Sequence, residues 1–284
     1  MIVITGATGQ LGKHVVAQLL EKLPSHEIAV AVRQPEKAAS FAAQGVEVRQ
    51  ADYADKASLA KAFQGATKVL LISGNELGKR FEQHQNVVDA AREAGVGLLV
   101  YTSLLRADSA HMGLKVEHLQ TEEYVRASGI PSVILRNGWY IENYTANLGP
   151  ALQFGAIAGA AGEGRIGAAA RADYAAAAVA VLTQEGHAGK TYELSGDVSF
   201  TMSELAAEVA RQSGRPVVYQ DMPTAQYEAF LSSVGLPPVL AAMLANADEG
   251  VRHGDLESQE HTLRELIGRP TTTLSAGVAA ALKA

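Results

Sequence analysis

Residues 1–12 read MIVITGATGQLG, a short apolar run followed by a loop that contains three glycines. The run from Ile2 to Thr5 is apolar or β-branched, which is typical of a buried strand. Residues 10–22 that follow repeat apolar side chains at the spacing of one helix face. The segment therefore predicts a strand and a helix joined by a tight glycine turn.

The three glycines, Gly6, Gly9 and Gly12, have distinct predicted roles. The first permits the turn, the second lets the backbone approach a pyrophosphate, and the third lets the helix pack closely on the strand. The amides at the positive end of the helix would then hold the phosphates. The spacing G-x-x-G-x-x-G differs from the usual G-x-G-x-x-G. The loop predicts a dinucleotide site, and the alternative is a tight turn without a ligand.

The same alternation continues to residue 135. Short apolar runs without strict alternation indicate strands that are buried on both faces, and helix-like segments separate them. The predicted further strands are residues 28–32, 46–50, 69–72, 98–102 and 132–135, and the predicted helices are 35–44, 55–63, 83–94 and 113–128. This order predicts an α/β fold with a doubly wound parallel Rossmann sheet.

The regular alternation of predicted strands and helices ends after Arg136. Residues 137–144 are predicted to form a loop or a cleft wall, and the glycine- and alanine-rich stretch 155–172 is either flexible or closely packed. Asp173 is predicted to cap a helix that reaches residue 183. Strands are expected at 191–194 and 217–220, and Thr201 with Glu204 is predicted to form a capping box.

The length of 284 residues is compatible with one large α/β domain or with a domain and a smaller attachment, and the bounds of the second arrangement are as follows. The Rossmann domain comprises residues 1–137, to which residues 149–186 are expected to return. A smaller C-terminal α/β domain on the substrate side comprises residues 138–148 and 187–284.

Composition excludes several classes of protein. The net charge of −6, without a run of Lys and Arg, argues against nucleic-acid binding. The absence of cysteine excludes disulfides, thiolate metal sites and cysteine nucleophiles, and the eight histidines lack ligand spacing, so no metal site is expected. No apolar run approaches the roughly 20 residues of a membrane span, and no secretory signal precedes the first strand. We expect a soluble cytoplasmic protein, whose oligomeric state the sequence leaves open.

The end of the second predicted strand indicates which dinucleotide binds. NAD sites carry an acidic residue there for the ribose 2′-hydroxyl, whereas an arginine accommodates the 2′-phosphate of NADP. This chain has Arg33 and no acid at that place, which favours NADPH over NADH; the alternative is a surface arginine without a ligand. Asp52, after the third strand, either accepts a hydrogen bond from the adenine amino group or caps the helix that begins near Asp55.

The arrangement resembles the short-chain dehydrogenase/reductase superfamily, whose usual catalytic set is Ser with Tyr-x-x-x-Lys. No tyrosine in this chain has a lysine four residues later, although Ser103 follows the fifth strand and position 115 is a lysine. The missing acid–base group favours a substrate that accepts hydride with little acid assistance, such as a quinone. His118 and Glu122 share one face of a predicted helix and are expected to form a solvated pair.

Six segments narrow the resemblance further: TGATGQLG (5–12), QADY (50–53), YTSLL (101–105), LRNGWY (135–140), RADY (171–174) and GRPTTT (268–273). Together they resemble, over essentially the whole chain, the bacterial type 2 NAD(P)H:quinone oxidoreductases of the NmrA-like, atypical short-chain family. The resemblance implies a Rossmann domain, a smaller C-terminal domain, NADPH in the cleft and direct hydride transfer to a quinone without flavin. NADH is expected to be a weaker alternative cofactor.

The resemblance also implies site residues, position by position. The pyrophosphate would lie on Gly6, Ala7, Thr8, Gly9, Gln10 and Leu11. Arg33 would bind the 2′-phosphate, and Ser73, Gly74 and Asn75 would line the cofactor where the strand order reverses. The nicotinamide and the mouth of the substrate cleft would lie at Asn137, Gly138, Trp139, Tyr140, Ile141 and Glu142.

Two questions stay open at the reaction centre. Trp139 and Tyr140 either stack on a flat quinone or pack the interface between domains. No catalytic residue is assigned, and the candidates are Tyr140 and Lys115. Lys115 is a candidate because related branches of the family use a lysine from the helix predicted at 113–128.

Two other functions fit the same sequence. A non-catalytic redox sensor or regulator of NmrA-like type would bind the dinucleotide without turning anything over, and the missing tyrosine suits it equally well. A reductase of another electrophile, such as an enone or an ether, would use Lys115 as its base.

Overall fold

The computed structural model describes residues 1–283 and divides them into two compact units. The first unit comprises residues 1–104, 116–137 and 171–192, and the second comprises 105–115, 138–170 and the chain from 193 onward. These boundaries differ from the predicted domains. Residues 149–170 group with the second unit because the strand at 156–159 pairs with the strand at 218–221. Residues 187–192 group with the first unit because Gly189 and Lys190 hydrogen-bond to the strand at 132–137.

Nine strands occur in the described residues. In chain order they are β1 (Ile2–Thr5), β2 (Ile28–Val32), β3 (Glu47–Gln50), β4 (Lys68–Leu71), β5 (Leu98–Leu104), β6 (Ser132–Asn137), β7 (Ala156–Gly159), β8 (Thr191–Leu194) and β9 (Val218–Asp221).

Thirteen α-helices accompany them in the same part of the chain. They are α1 (Gln10–Leu20), α2 (Ala39–Ala42), α3 (Lys56–Ala62), α4 (Arg80–Glu93), α5 (Lys115–Ala127), α6 (Glu142–Thr145), α7 (Gly149–Phe154), α8 (Arg171–Thr183), α9 (Met202–Ser213), α10 (Thr224–Ser233), α11 (Pro238–Arg252), α12 (Thr262–Ile267) and α13 (Leu274–Ala281).

The central sheet has seven strands in the order β3-β2-β1-β4-β5-β6-β8. The pairs β1/β2, β2/β3, β1/β4, β4/β5 and β5/β6 are all parallel. The strand order therefore reverses between β1 and β4. The prediction of a doubly wound parallel Rossmann sheet is confirmed.

Burial explains why the central strands lack alternation. Every residue of β1 and β2 is buried, as expected for parallel strands covered on both faces. The alanine-rich helix α8 packs against α1, and the Gln18 amide donates a hydrogen bond to the Ala172 carbonyl across that contact at 3.0 Å.

Several local predictions differ from the structure. Residues 35–44 form a 3₁₀ turn (Pro35–Ala38) and the single turn α2 instead of one helix. Strand β6 continues to Asn137 and α6 follows, so that only part of 137–144 is a loop. Asp173 lies in the first turn of α8 and not at its cap, because the helix already begins at Arg171.

The second unit contains the two-stranded parallel sheet β7/β9 and the helices α9 to α13. Its glycine-rich stretch is closely packed, since a Cβ on Gly164 would lie 2.3 Å from the Val251 carbonyl oxygen. The capping box at the start of α9 is confirmed: Thr201 Oγ1 accepts from Glu204 N, and Glu204 Oε2 accepts from Thr201 N. Throughout residues 1–283, no helix combines the length and the apolar character needed to span a membrane.

Candidate functional site

The glycine loop lies at the carboxyl end of β1, where the strand order reverses. Gly6 has a φ of +61°, in the left-handed region that favours glycine, and its carbonyl accepts the Gly9 amide at 3.0 Å. A Cβ on Gly12 would lie 2.4 Å from the Gly6 carbonyl oxygen and 2.6 Å from Ala7 Cα. The predicted roles of Gly6 in the turn and of Gly12 in close packing are confirmed.

Helix α1 begins directly after this loop. Gly9 is its N-cap, so no side chain caps the first amides, and the first turn carries no acidic residue. Gly9 and Gln10 are exposed, while Ala7 and Leu11 are buried. An uncapped N-terminus without a competing carboxylate is a favourable place for an anion, because the helix dipole is positive there.

The segment 72–75 follows β4 on the other side of the reversal. Side chains from neighbouring elements bind its first backbone groups: Thr5 Oγ1 accepts from Ile72 N at 3.2 Å, and Tyr53 Oη donates to Ile72 O at 2.8 Å. Thr102 Oγ1, from β5, accepts from Ser73 N at 2.9 Å. Burial raises the pKa of Tyr53, which keeps its hydroxyl protonated and able to donate.

Gly74 is held by two side chains of α4. His84 Nε2 accepts from Gly74 N at 2.9 Å, and Arg80 Nε donates to Gly74 O at 2.6 Å. Both side chains are buried. Sequence analysis did not identify these two side chains, although the position of His84 three residues before Val87 in the predicted helix 83–94 was a signal for an inward orientation.

Arg33 lies directly after β2, and its side chain is 65% exposed. Its Nη1 lies 3.2 Å from Oε1 of Glu76, which belongs to the loop after β4. The guanidinium therefore follows the carboxyl end of β2, as predicted, and its partner in this structure is the Glu76 carboxylate.

Asp52 does not cap a helix. Asp55 is the N-cap of α3 and accepts from the amides of Ala57 and Ser58, whereas Asp52 Oδ1 accepts from Ala54 N within its own turn. The capping alternative for Asp52 is therefore wrong, and its contact with adenine stays a prediction.

The expectation of a solvated pair on α5 is wrong. His118 is 7% exposed and its Nδ1 lies 2.7 Å from the Tyr101 hydroxyl, while Glu122 is fully buried. Glu122 Oε1 accepts from Ser103 Oγ at 2.6 Å and from Arg136 Nε at 2.9 Å. Ser103, at the place of the usual catalytic serine, is thus part of a buried ionic network.

Asn137 ends β6 and is 4% exposed. Its Oδ1 is buried and receives no hydrogen bond from any residue in 1–283. Since buried polar atoms in native proteins are nearly always paired, this acceptor is suited to a donor on a ligand.

The second unit contains the other predicted site residues. Trp139 and Tyr140 are half-buried; the Trp139 carbonyl accepts from Ala169 N at 3.2 Å. Gly138 and Ile141 are buried, and Glu142 begins α6. Lys115 is half-buried at the start of α5, and its ammonium has no hydrogen bond or ion pair within the described chain.

The match to a family model decides the classification. The model of the NmrA-like family matches residues 1–262. The chain belongs to the NmrA-like family. Quinone oxidoreductase 2 of Escherichia coli is 52% identical to it over 278 residues, which cover 98% of this chain and 97% of that relative.

Two solved structures have the same fold as this chain over nearly its whole length. The NADPH complex of an NADPH-dependent quinone oxidoreductase from Escherichia coli matches with a TM-score of 0.97 and 52% identity, over 99% of this chain and 100% of that one. The triphenylmethane reductase of Citrobacter sp., complexed with NADP(H), matches with a TM-score of 0.95 and 39% identity, over 99% of this chain and 100% of that one.

Proposed function

We propose that this NmrA-like protein is an NADPH-dependent quinone oxidoreductase that transfers hydride directly to a small quinone. The observation that carries the proposal is the start of α1, which follows the Gly6 turn, has no capping side chain and lies where the strand order reverses. The chain that has this feature is 52% identical to a quinone oxidoreductase. Ligands of open α/β sheets bind at this reversal.

The first unit fits a dinucleotide at three places. The loop of Gly6, Ala7, Thr8, Gly9, Gln10 and Leu11 presents backbone amides and no acidic side chain to the pyrophosphate. Arg33 offers an exposed guanidinium to the 2′-phosphate, for which NADH has no counterpart. The unpartnered Oδ1 of Asn137 offers a buried acceptor to an N–H of the ligand.

The remaining residues keep their predicted roles within the proposal. Asp52, Ser73, Gly74 and Asn75 contact the cofactor. Gly138, Trp139, Tyr140, Ile141 and Glu142 belong to the nicotinamide and quinone site, with the two aromatic rings against the quinone.

The reaction needs little from the protein beyond binding and orientation. When bound, the reduced nicotinamide supplies a hydride, and the quinone takes up this hydride and one proton to become a hydroquinone. The proposal includes no flavin and no metal. Residues 1–283 hold no group of three or more His, Asp or Glu side chains that could bind a metal ion.

The test is the loss of the near-ultraviolet absorbance of NADPH on addition of a simple benzoquinone, with NADH in parallel. We expect turnover with both cofactors, faster with NADPH, and loss of the NADPH preference in Arg33→Glu. The matched control is Arg215→Glu, which makes the same change of charge at an exposed arginine of the second unit.

Two outcomes would replace the proposal. Binding of NADPH by calorimetry without turnover would make the protein a redox sensor of NmrA-like type. Reduction of an enone or ether but not of quinones, abolished by Lys115→Ala, would make it a reductase of another electrophile.

A further inference from the structure

Both polar groups of the Gly74 backbone are bound by side chains of one helix. His84 accepts from its amide at 2.9 Å, and Arg80 donates to its carbonyl at 2.6 Å. His84 is fully buried and Arg80 is 6% exposed, whereas Gly74 itself is half-buried. A glycine in a loop, with few steric limits of its own, is thereby fixed in one orientation.

The hydrogen bonds around His84 define its tautomer. Thr121 Oγ1 donates its only proton to the Glu117 carbonyl at 2.7 Å. The contact of 3.0 Å between His84 Nδ1 and Thr121 Oγ1 therefore requires that Nδ1 carries the proton. Nε2 is then the acceptor that the Gly74 amide needs.

The surroundings of His84 favour this neutral form. Tyr101 and Tyr53 place their rings edge-on to the imidazole, at centroid distances of 5.4 and 6.2 Å. Burial and the positive charge of Arg80 lower the pKa of His84 to about 3. A protonated imidazole would present a donor to the Gly74 amide and break the contact.

We propose that His84 and Arg80 are positioning residues that hold the segment 73–75 in the conformation that receives the dinucleotide. The inference rests on the proposed function and adds to it the groups that pre-organise one wall of the cofactor site. Neither side chain is assigned a contact with the ligand. Both act through the backbone of Gly74, so their loss raises the cost of ordering the segment on binding.

The decisive variants are His84→Phe, which keeps a planar ring but removes the acceptor, and His84→Gln, whose carbonyl oxygen restores one. Calorimetry on the whole chain measures the Kd of NADPH. We expect roughly tenfold weaker binding in His84→Phe, because the half-buried Gly74 amide loses its partner and the segment must be ordered on binding, and substantial recovery in His84→Gln. The kcat at saturating NADPH should change by less than about twofold, since no group at the reacting atoms is altered.

The matched control is His26→Phe, the same substitution at an exposed histidine of the first unit. It should leave the Kd of NADPH unchanged. Equal affinities in His84→Phe and the natural protein, or a parallel loss of kcat without rescue by His84→Gln, would overturn the inference while the proposed function stands. Failure of the natural protein to bind NADPH would overturn both.

A measurement on the natural protein without cofactor covers the case in which His84→Phe does not fold. Nitrogen-15 chemical shifts of the imidazole should report the Nδ1–H tautomer, unchanged between pH 5 and pH 8. The Gly74 amide should exchange slowly with solvent although it lies in a loop. An Nε2–H tautomer, or an amide that exchanges as fast as exposed loop amides, would show that His84 does not hold Gly74.

Discussion

Glu122 of α5 and Arg136 of β6 form a two-point ion pair in the interior of the first unit. Arg136 Nε lies 2.9 Å from Oε1 and Nη2 lies 2.8 Å from Oε2, and the Glu122 side chain has no exposed surface. Ser103 donates a further hydrogen bond to Oε1. The pair ties the helix α5 to two adjacent strands, β5 and β6, near their carboxyl ends.

Removal of one partner should strongly destabilise the protein. We expect Arg136→Met to lower the free energy of unfolding by about 3–5 kcal/mol, because it leaves a buried carboxylate short of its main counter-charge. Arg126→Met is the matched control. Arg126 also contacts Glu122, at 2.9 Å, but is 45% exposed, so its loss should cost only about 0–1 kcal/mol. Urea unfolding measures both, and equal costs would contradict the dominant role of Arg136.

The glycine at position 12 should tolerate no side chain. A Cβ there would overlap the Gly6 carbonyl oxygen and Ala7 Cα, both of which are backbone atoms that move only with the loop. We expect Gly12→Ala to destabilise the protein by about 1–3 kcal/mol and to weaken NADPH binding, because relief of the overlap distorts the turn. Thermal unfolding and calorimetry test this.

Gly97→Ala is the matched control for Gly12→Ala. Its Cβ would meet only the Thr67 carbonyl oxygen, at 3.4 Å, an ordinary contact. NADPH binding should be unchanged in this variant. NADPH binding by Gly12→Ala as tight as that of the natural protein would contradict the prediction, because the loop would then accommodate the Cβ without distortion of the turn.

The pattern of apolar runs predicted the parallel sheet, and the glycine loop predicted the turn at Gly6 and the close packing at Gly12. Both could be predicted because buried parallel strands and tight turns restrict the residue types at each position. The ion pair of Glu122 and the inward orientation of His118 could not be predicted. A polar residue on the apolar face of a helix either lies at the solvated edge of that face or has a buried partner, and the sequence pattern is the same in both cases. The partner of Glu122 is Arg136, which lies 14 residues further along the chain in the strand β6. For His84, the spacing to Val87 indicated an inward side chain but not its partner, the Gly74 amide in a loop.

Glu76 should weaken NADPH binding. Its carboxylate lies 3.2 Å from Arg33, so the 2′-phosphate must displace it and then lies near its charge. The exposed pair contributes at most about 1 kcal/mol, and we expect Glu76→Gln to tighten NADPH binding up to roughly fivefold. The Kd of NADH, which lacks this phosphate, should stay constant. Calorimetry with both cofactors measures the ratio, and an equal change for both would place Glu76 away from the 2′-phosphate.

Asp248 should make the stability of the protein depend on pH. Burial raises the pKa of Asp248 to about 6, and the nearby Asp221 adds to this, whereas the hydrogen bond from Ala160 N and the charge of Arg252 oppose it. The tyrosines that face this carboxyl are Tyr144, Tyr219 and Tyr227. The folded protein therefore holds the proton more tightly than the unfolded chain does.

The sign of the effect follows from this difference. Below the unfolded pKa of about 4 the carboxyl is neutral in both states and costs nothing, and the cost grows as the pH rises through the folded pKa. Asp248→Asn keeps an acceptor for Ala160 N but removes the ionisation. We expect it to raise the free energy of unfolding by about 1–3 kcal/mol at pH 8 and to leave it nearly unchanged at pH 4. Urea unfolding across this range measures it, and a gain that is the same at both pH values would assign the effect to packing instead of charge.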